Sequence, residues 1–187
     1  MPLPNPDMDF VPFDVLTAEE LDNFVANIES LSDGTGFDDN VMGTGTLISP
    51  YKFSAYASAT TTLPGSTYTK IAFGTEEYDD NGDYDTANSR HTISVPGYYR
   101  YSATMQDSSG GNGEYHALAF YKNGTLFKTG ASILSQAANI NNISASPPPF
   151  KLVVGDYIEV YGFQNSGGGK TVASGQDKTY FGGYLVV

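Results

Sequence analysis

The sequence predicts an all-β fold of the sandwich or jelly-roll class, and three observations support that prediction. Glycine and aromatic residues are frequent, with 21 Gly, 14 Tyr and 11 Phe among 187 residues, which is typical of short strands joined by tight turns. Most segments after residue 50 alternate apolar and polar side chains with a period of two. Only residues 17–31 show clear helical periodicity. Many short strands with a single helix favour two packed sheets.

The most informative stretch, residues 91–105, predicts two strands joined by a corner at Pro96-Gly97. Pro96 cannot donate a ladder hydrogen bond and Gly97 tolerates positive φ, so we expect the chain to turn there. Before the corner, Ile93 and Val95 alternate with polar residues. After the corner every second residue is apolar or aromatic, and this set comprises Tyr99, Tyr101, Ala103 and Met105. We expect that set to be buried between two sheets.

Further segments have the pattern of strands, namely residues 52–58, 68–73, 114–122, 125–129, 150–154, 157–163 and 180–187. Asn123-Gly124 is a strong hairpin signal, and Gly155-Asp156 indicates a turn. The acidic run 76–85 and the polar run 139–149 are predicted to be loops. About eight or more strands are therefore expected after residue 50.

Three of these strands, residues 114–122, 157–163 and 180–187, lack a polar face. One face can fill the core of the sandwich, whereas the other would expose tyrosine and phenylalanine. A monomer rarely exposes such a patch, so we expect an oligomer interface there, although the sequence leaves open which face lies outside. The candidate contact residues are Tyr99, Tyr101, Tyr121, Tyr157, Tyr161 and Tyr184.

Residues 1–50 are predicted to be an N-terminal anchor, which ends in a Gly-rich linker at residues 33–50 and precedes the head formed by residues 51–187. Four prolines within residues 1–16 favour an extended arm, and Thr17 with Glu20 forms a capping box at the start of helix 17–31. The apolar stripe of this helix comprises Leu21, Phe24, Val25, Ile28 and Leu31. A helix of this length is marginal alone in water, so the stripe is expected to bury against copies of itself or a partner. The alternative is a helix that packs on its own domain behind a frayed arm.

The charge of the chain excludes several classes of function. The formal net charge is −12, which opposes binding to nucleic acid and to anionic membranes. No apolar run approaches the length of a membrane span, so we expect no membrane insertion. The first residues lack the basic and apolar regions of a secretory signal, so we expect synthesis in a cytoplasm. Without cysteine there is neither a disulfide framework nor a thiolate metal site.

At this point the order of motifs resembles the tumour-necrosis-factor-like jelly roll, in the branch of the complement globular heads. The resemblance covers residues 51–187 and rests on Ile71-Ala72-Phe73, the acidic turn with Tyr84-Asp85, Ile93-x-Val95-Pro96-Gly97-Tyr98-Tyr99-x-Tyr101, Tyr121-Lys122-Asn123-Gly124, Leu152-x-Val154-Gly155-Asp156-Tyr157-Ile158-x-Val160 and Tyr180-Phe181-Gly182-Gly183-Tyr184-Leu185. It implies a ten-stranded jelly roll that forms a homotrimer about a three-fold axis. The fold serves many binding roles, so the resemblance specifies function weakly.

The N-terminal segment resembles the leading segment of phage fibre and virion-attached proteins, and no collagen-like Gly-x-y stalk precedes the head. This resemblance implies a bacteriophage virion structural protein, made in the host cytoplasm. Residues 1–31 would dock to other virion proteins, and the head would bind a glycan or protein of the host surface through its polar loops. The alternative is a capsid or tail decoration protein that only stabilises the particle.

Catalysis finds little support in the sequence. His91 and His116 are the only histidines, and we expect both to be packed or hydrogen-bonded rather than catalytic. A glycan-active enzyme would need paired carboxylates, for which Glu114 and Glu159 are the only candidates. We therefore expect a protein without enzymatic activity and without a cofactor.

One acidic segment suits calcium, because Asp79, Asn81 and Asp83 supply oxygen ligands at alternate positions. The distal bidentate glutamate of a calcium loop is missing at the proper offset. Some relatives of the fold bind calcium near the trimer axis, so the resemblance keeps the metal open, whereas the simpler interpretation is a solvated turn.

Overall fold

The computed structural model describes residues 51–107, 111–136 and 140–186, and these residues form a sandwich of two antiparallel β-sheets. In chain order the strands are β1 (Lys52–Tyr56), β2 (Thr61–Leu63), β3 (Thr69–Lys70), β4 (Thr75–Asp79), β5 (Tyr84–Asp85), β6 (Arg90–Thr92), β7 (Gly97–Asp107), β8 (Tyr115–Lys122), β9 (Thr125–Leu134), β10 (Asn141–Ala145), β11 (Phe150–Leu152), β12 (Tyr157–Gln164), β13 (Lys170–Val172) and β14 (Tyr180–Leu185).

The first sheet has the strand order β2-β13-β7-β14-β1-β4, and β10 and β11 also pair with β7. The second sheet has the order β5-β6-β12-β8-β9, with β3 paired to β12. The all-β jelly-roll prediction is confirmed. Among the described residues no helix is long and apolar enough to cross a membrane. The predicted arm, helix 17–31 and linker 33–50 lie outside the described residues and remain predictions.

The corner at Pro96-Gly97 moves the chain from one sheet to the other, since β6 belongs to the second sheet and β7 to the first. The residues before it are irregular rather than a strand, contrary to the alternation of Ile93 and Val95. Ile93 is nevertheless buried, because its backbone exchanges hydrogen bonds with the turn at Gly155 and Asp156. The turn at Gly155 and Asp156 thus covers the end of the sandwich next to the corner.

The core is dominated by aromatic rings contributed by both sheets. Phe181 of β14 packs edge-on against Phe53 of β1, with centroids 5.0 Å apart, and Phe120 of β8 faces them from the second sheet. Tyr99, Tyr101, Ala103 and Met105 are each at most 1% exposed, so the predicted buried face of β7 is confirmed. Burial of this apolar surface stabilises the fold at roughly 25 cal/mol per Å².

Several predicted loops contain strands. The acidic run 76–85 includes β4 and β5, and the polar run 139–149 includes β10. β4 is tolerated despite its charges because it lies at the edge of the first sheet, where Glu76 and Glu77 reach solvent. β10 keeps a period of two, with Ile143 buried opposite Met105, but its small polar residues conceal the pattern. β9 extends to Leu134, five residues beyond the predicted end.

Candidate assembly and binding surfaces

Four tyrosines on the outward face of the first sheet are poorly covered by their own chain. Because side chains alternate along a strand, the buried Tyr99 and Tyr101 place Tyr98 and Arg100 on the outward side of β7. The same alternation turns Tyr180 and Tyr184 of β14 outward, and Tyr78 of β4 lies opposite the outward Ser54. These four rings, here called the tyrosine face (Tyr78, Tyr98, Tyr180 and Tyr184), are between 37% and 48% exposed.

A central groove of about 510 Å³ crosses the tyrosine face. Its floor is the cross-strand row Ser54, Gly182 and Ser102, in which Gly182 has no side chain to fill the space between Tyr180 and Tyr184. A Cβ atom on Gly182 would lie 3.0 Å from the carbonyl oxygen of Phe53. The groove therefore has a floor of small residues and aromatic walls, which is a shape that accepts an apolar side chain.

Charged groups flank the groove on both sides. Tyr184 lies between Lys52 and Arg100 in the register of the three central strands. Lys52 pairs with Asp80 at 3.1 Å, whereas the exposed guanidinium of Arg100 forms no ion pair with a described residue. On the opposite side, the Glu77 carboxylate accepts a hydrogen bond of 2.5 Å from the Ser54 hydroxyl. The groove can thus be entered by either a cationic or an anionic group.

The side of the sandwich formed by β9 and β11 is a second poorly covered surface. Phe127 of β9 meets Phe150 of β11 edge-on at 5.0 Å, so the two sheets come together there. Leu126 is 45% and Phe127 is 37% exposed. The Lys128 ammonium lies 5.6 Å from the centre of the Phe127 ring, and Lys151 is exposed on β11. We call these four residues (Leu126, Phe127, Lys128 and Lys151) the β9 edge.

The outward face of the second sheet is also aromatic, but its rings cover one another. Tyr121 of β8 and Tyr161 of β12 stack with centroids 3.8 Å apart, and Tyr68 contacts both Tyr121 and Phe163. Burial, followed by the nearby Glu159 carboxylate, raises the pKa of Tyr161 to about 12. The rings of this face are half-buried in the single chain. This face therefore leaves less aromatic surface uncovered than the tyrosine face does.

The six candidate contact tyrosines do not form one surface. Tyr99 and Tyr101 have at most 1% of their surface exposed and lie in the core, so their proposed role in the trimer contact is wrong. The side chain of Tyr101 instead shares a 2.9 Å hydrogen bond with His91. Tyr121, Tyr157 and Tyr161 lie on the outward face of the second sheet and Tyr184 on that of the first. For these four the contact role remains a prediction.

Three residues that the sequence analysis omitted complete the tyrosine face, namely Tyr78, Tyr98 and Tyr180. Tyr98 was passed over because it lies on the side of β7 that alternates with the apolar set, and Tyr180 because it precedes a core residue in a strand that appeared apolar on both sides. Tyr78 was assigned to a loop. The available signal was alternation itself, because a tyrosine out of phase with the core set must face outward.

The candidate calcium segment is held together by its own hydrogen bonds. The Asp79 carboxylate accepts hydrogen bonds from the backbone N–H groups of Gly82 and Tyr84, at 3.1 and 2.8 Å. Asn81 and Ser94 donate to the carboxylate of Asp83, at 2.8 and 2.6 Å. Within the described ranges, no group of three or more acidic, His or Cys side chains is arranged to hold a metal ion. The geometry is that of a hydrogen-bonded turn.

The two histidines are buried in different environments. His91 stacks on Phe53 with centroids 4.5 Å apart, and burial lowers its pKa to about 4. The imidazole Nδ1 of His116 lies 2.6 Å from the Asp107 carboxylate, whose pKa is raised by burial. The other ring nitrogen of His116 has no hydrogen-bond partner and lies 3.8 Å from Glu114. Both side chains are at most 2% exposed, so neither reaches a substrate from solvent.

The two candidate catalytic carboxylates are far apart. Glu159 pairs with Tyr121 in the register of β12 and β8, which is seven residues along the chain from Glu114. At about 3.3 Å per residue the two lie roughly 20 Å apart, beyond the 5–10 Å that glycoside hydrolysis requires. Glu159 is paired with Lys70, and Glu114 with Lys170, both at 3.1 Å. The pairing of Glu114 with Glu159 is therefore wrong.

Comparison with known proteins agrees with this architecture. The C1q domain family matches residues 52–186, which is most of the chain. The chain belongs to the C1q domain family. No curated protein sequence matches it.

Solved structures with the same fold have little sequence in common with this member of the family. The globular domain of zebrafish complement 1qA is 15% identical, with a TM-score of 0.52 over 73% of this chain and 97% of its own. The Eiger TNF of S. frugiperda is 9% identical, with a TM-score of 0.54 over 73% and 92%. Murine APRIL at pH 5.0 is 13% identical, with a TM-score of 0.54 over 72% and 98%. At these identities the likeness concerns the fold alone.

Proposed function

We propose that this C1q-domain protein is a homotrimeric, non-enzymatic bacteriophage virion protein, with an N-terminal docking segment and a head that binds the host surface. The observation that carries the homotrimer is the tyrosine face, in which four large rings remain 37–48% exposed in the single chain. Soluble monomers rarely leave a contiguous aromatic patch of this kind uncovered. C1q and tumour-necrosis-factor-like domains are often trimeric, and they are typically binding or structural domains rather than enzymes.

Assembly is tested by sedimentation velocity of the full chain over a dilution series. The wild-type chain is expected to sediment as a trimer, and Tyr184→Asp should shift it toward monomer because a carboxylate would be buried in an apolar contact. Tyr115→Asp, on the outward face of the second sheet, is a control that makes the same substitution at a half-buried tyrosine away from the tyrosine face. A wild-type chain that is monomeric throughout would refute the homotrimer.

Attachment to a particle is assigned to residues 1–31, on the apolar stripe of the predicted helix. Replacement of Phe24 and Ile28 by Asp should leave a soluble trimer that is no longer incorporated into virions, since each buried apolar side chain contributes about 1.5–3 kcal/mol. Replacement of the polar Asn23 and Asn27 by Asp is the matched control. Normal incorporation of the first variant, measured as copies per particle, would contradict the anchor assignment.

The alternative is a decoration protein without receptor binding. In that role the outward face of the second sheet would pack against neighbouring subunits of the particle and would bind no host receptor. The two functions are separated by a binding assay with the fluorescently labelled trimer and host cells. Saturable binding that survives removal of residues 1–31 supports the host-binding head. A trimer that coats virions but never binds cells supports decoration.

A further inference from the structure

A second cavity, with a volume of about 290 Å³, lies at the end of the first sheet where β7 finishes, away from Tyr98 and Tyr184. It is bounded by the ends of β7, β10, β13 and β14 and by the residue before β2. Ligand pockets range upward from about 300 Å³, so this one has room for a single small unit. We call it the tip pocket, and its lining includes Thr60, Gln106, Ile140, Ala173, Ser174 and Lys178.

Three polar groups of the tip pocket have no partner within the described part of the chain. The hydroxyls of Thr60 and Ser174 form no hydrogen bond there, and the Lys178 ammonium forms no ion pair. By contrast, Lys52 and Lys122 pair with carboxylates at 3.1 and 2.7 Å. A lysine without an acidic partner, beside two unengaged hydroxyls, suits a ligand that carries both hydroxyls and a negative charge.

Asp107 is the one acidic residue that lines the tip pocket among the described residues, and its own chain already engages it. The residue is 1% exposed. Its Oδ1 accepts a 2.9 Å hydrogen bond from the Asn141 amide, and its Oδ2 lies 2.6 Å from the Nδ1 atom of His116. Asp177 precedes Lys178 in the chain, but it is exposed and does not line the pocket. Lys178 is therefore the charged group that a ligand in the pocket would contact.

The tip pocket also offers apolar surface. Ile140 is 63% exposed and shares the lining with the partly exposed Ala173. A sugar ring has C–H groups on its faces and hydroxyls around its rim, so it can pack on Ile140 while it hydrogen-bonds to Thr60 and Ser174. A carboxylate on the ring can in addition accept a charge-assisted hydrogen bond from Lys178. The lining thus matches a sugar acid in its apolar, polar and charged parts.

We propose that the tip pocket binds one sugar unit that carries a carboxylate, such as a uronic or sialic acid unit of a host-surface glycan. The inference deepens the proposed host-binding function and rests on it for the source of the ligand. Lys178 binds the carboxylate, Thr60 and Ser174 hydrogen-bond to the hydroxyls, and Ile140 covers one face of the ring. Three pockets in one trimer raise the overall affinity by about 10²–10⁴, so weak binding at each site is sufficient.

The charge of the ligand is the first test, in ligand-observed NMR titrations of the full chain. The probes are two matched pairs, methyl β-glucuronide with methyl β-glucoside, and the methyl glycoside of sialic acid with its methyl ester. At least one acid should bind about fivefold to tenfold more tightly than its neutral counterpart, the range expected for a partly exposed pairing of charges. Salt at about 1 M should remove most of this preference, because it shortens the Debye length to about 3 Å.

Substitution in the pocket is the second test. Lys178→Gln should lower the affinity for the acid to that for the neutral probe, whereas Lys178→Arg keeps the charge and should retain most of the preference. Lys151→Gln, at an exposed lysine of β11 that forms no ion pair with a described residue, is the matched control and should preserve the preference. Ile140→Asn should weaken acid and neutral probes alike, because it removes the apolar wall and keeps the charge. Far-UV circular dichroism and sedimentation velocity confirm that each variant folds and assembles as the wild type does.

The outcomes separate the tip pocket from the proposed function. Absent or equal binding of acid and neutral probes in both pairs, or a preference that survives Lys178→Gln, overturns the pocket. If the wild-type trimer still binds host cells in that case, the host-binding head stands. A preference that Lys178→Gln abolishes, in a trimer that never binds host cells, supports the pocket and overturns the host-binding function.

Discussion

The buried imidazole of His91 makes the stability of the head depend on pH. The ring is 2% exposed, stacks on Phe53 at 4.5 Å and shares a 2.9 Å hydrogen bond with the hydroxyl of Tyr101. Burial lowers the pKa of His91 to about 4, whereas an unfolded chain has a histidine pKa of about 6.5. The unfolded state therefore binds a proton between these pH values while the folded state does not.

The sign and size of the effect follow from linkage. The stability that depends on neutral His91 is complete above pH 6.5 and is lost as the pH falls toward 4, since protons then favour the unfolded chain. A difference of about 2.5 pKa units corresponds to roughly 3 kcal/mol in total, of which about 2 kcal/mol is lost between pH 7 and pH 5. Such a loss is a large share of the stability of an ordinary domain.

Substitution of His91 isolates this contribution. His91→Phe keeps an aromatic ring against Phe53 but cannot titrate, so its free energy of unfolding should fall about 2 kcal/mol less than that of the wild type between pH 7 and pH 5. Tyr101→Phe is the matched control, because it removes the same hydrogen bond and leaves the imidazole titratable. Urea titrations at one chain concentration give these values, since assembly couples stability to concentration.

The test compares how steeply the free energy of unfolding falls with pH in the wild type, in His91→Phe and in Tyr101→Phe. Carboxylates elsewhere in the chain also titrate below pH 5, but their contributions are common to all three chains and cancel in the differences. If His91→Phe and the wild type lose the same stability between pH 7 and pH 5, then His91 does not stay neutral in the folded protein. Tyr101→Phe with a flattened slope would instead assign the effect to the hydrogen bond.

Two further predictions concern single positions in the sandwich. Gly183→Ala should destabilise the head by about 1–3 kcal/mol, because the new Cβ would lie 2.5 Å from the ring of Tyr101, while Gly168→Ala, in open space, should change little in thermal unfolding. The backbone N–H of Gly111 and then Lys170 lower the pKa of Glu114, so its stabilising effect is present above the unfolded pKa and is lost as the pH falls through the folded value. Glu114→Gln should therefore flatten the decline of the unfolding midpoint below pH 4.5, and an unchanged decline would contradict the assignment.

The sequence predicted the fold because its strong signals are local. The alternation along β7, the Asn123-Gly124 hairpin and the Gly155-Asp156 turn each specify geometry within a few residues. Contacts between distant strands carry no such signal. The separation of Glu114 from Glu159 depends on the register of β8 against β12, which no single segment encodes. Tyr99 and Tyr101 were wrongly assigned to the contact although the alternation along β7 predicts that they are buried. Only for β8, β12 and β14, whose segments are apolar on both faces, does the sequence leave open which face meets the other sheet.

Adjacent residues on β7 show how the pleat resolves that ambiguity. Tyr99 is in the core, while its neighbour Tyr98 is 45% exposed on the outward face. Along that outward face, Tyr98 and Tyr184 lie toward one end, whereas Thr104 and Gln106 lie toward the other, where Tyr180 is the one member of the tyrosine face opposite Thr104. The polar side chains at that end already have hydrogen-bond partners within the chain. Thr104 shares a 2.9 Å hydrogen bond with Ser144, and Gln106 donates one to Asn142.

The aromatic end therefore has the greater need of a partner. It is also the end near the β9 edge, because the exposed Phe127 packs on Phe150, and Phe150 pairs with Tyr99 beside Tyr98. The uncovered face and the uncovered edge thus share one end of the sandwich.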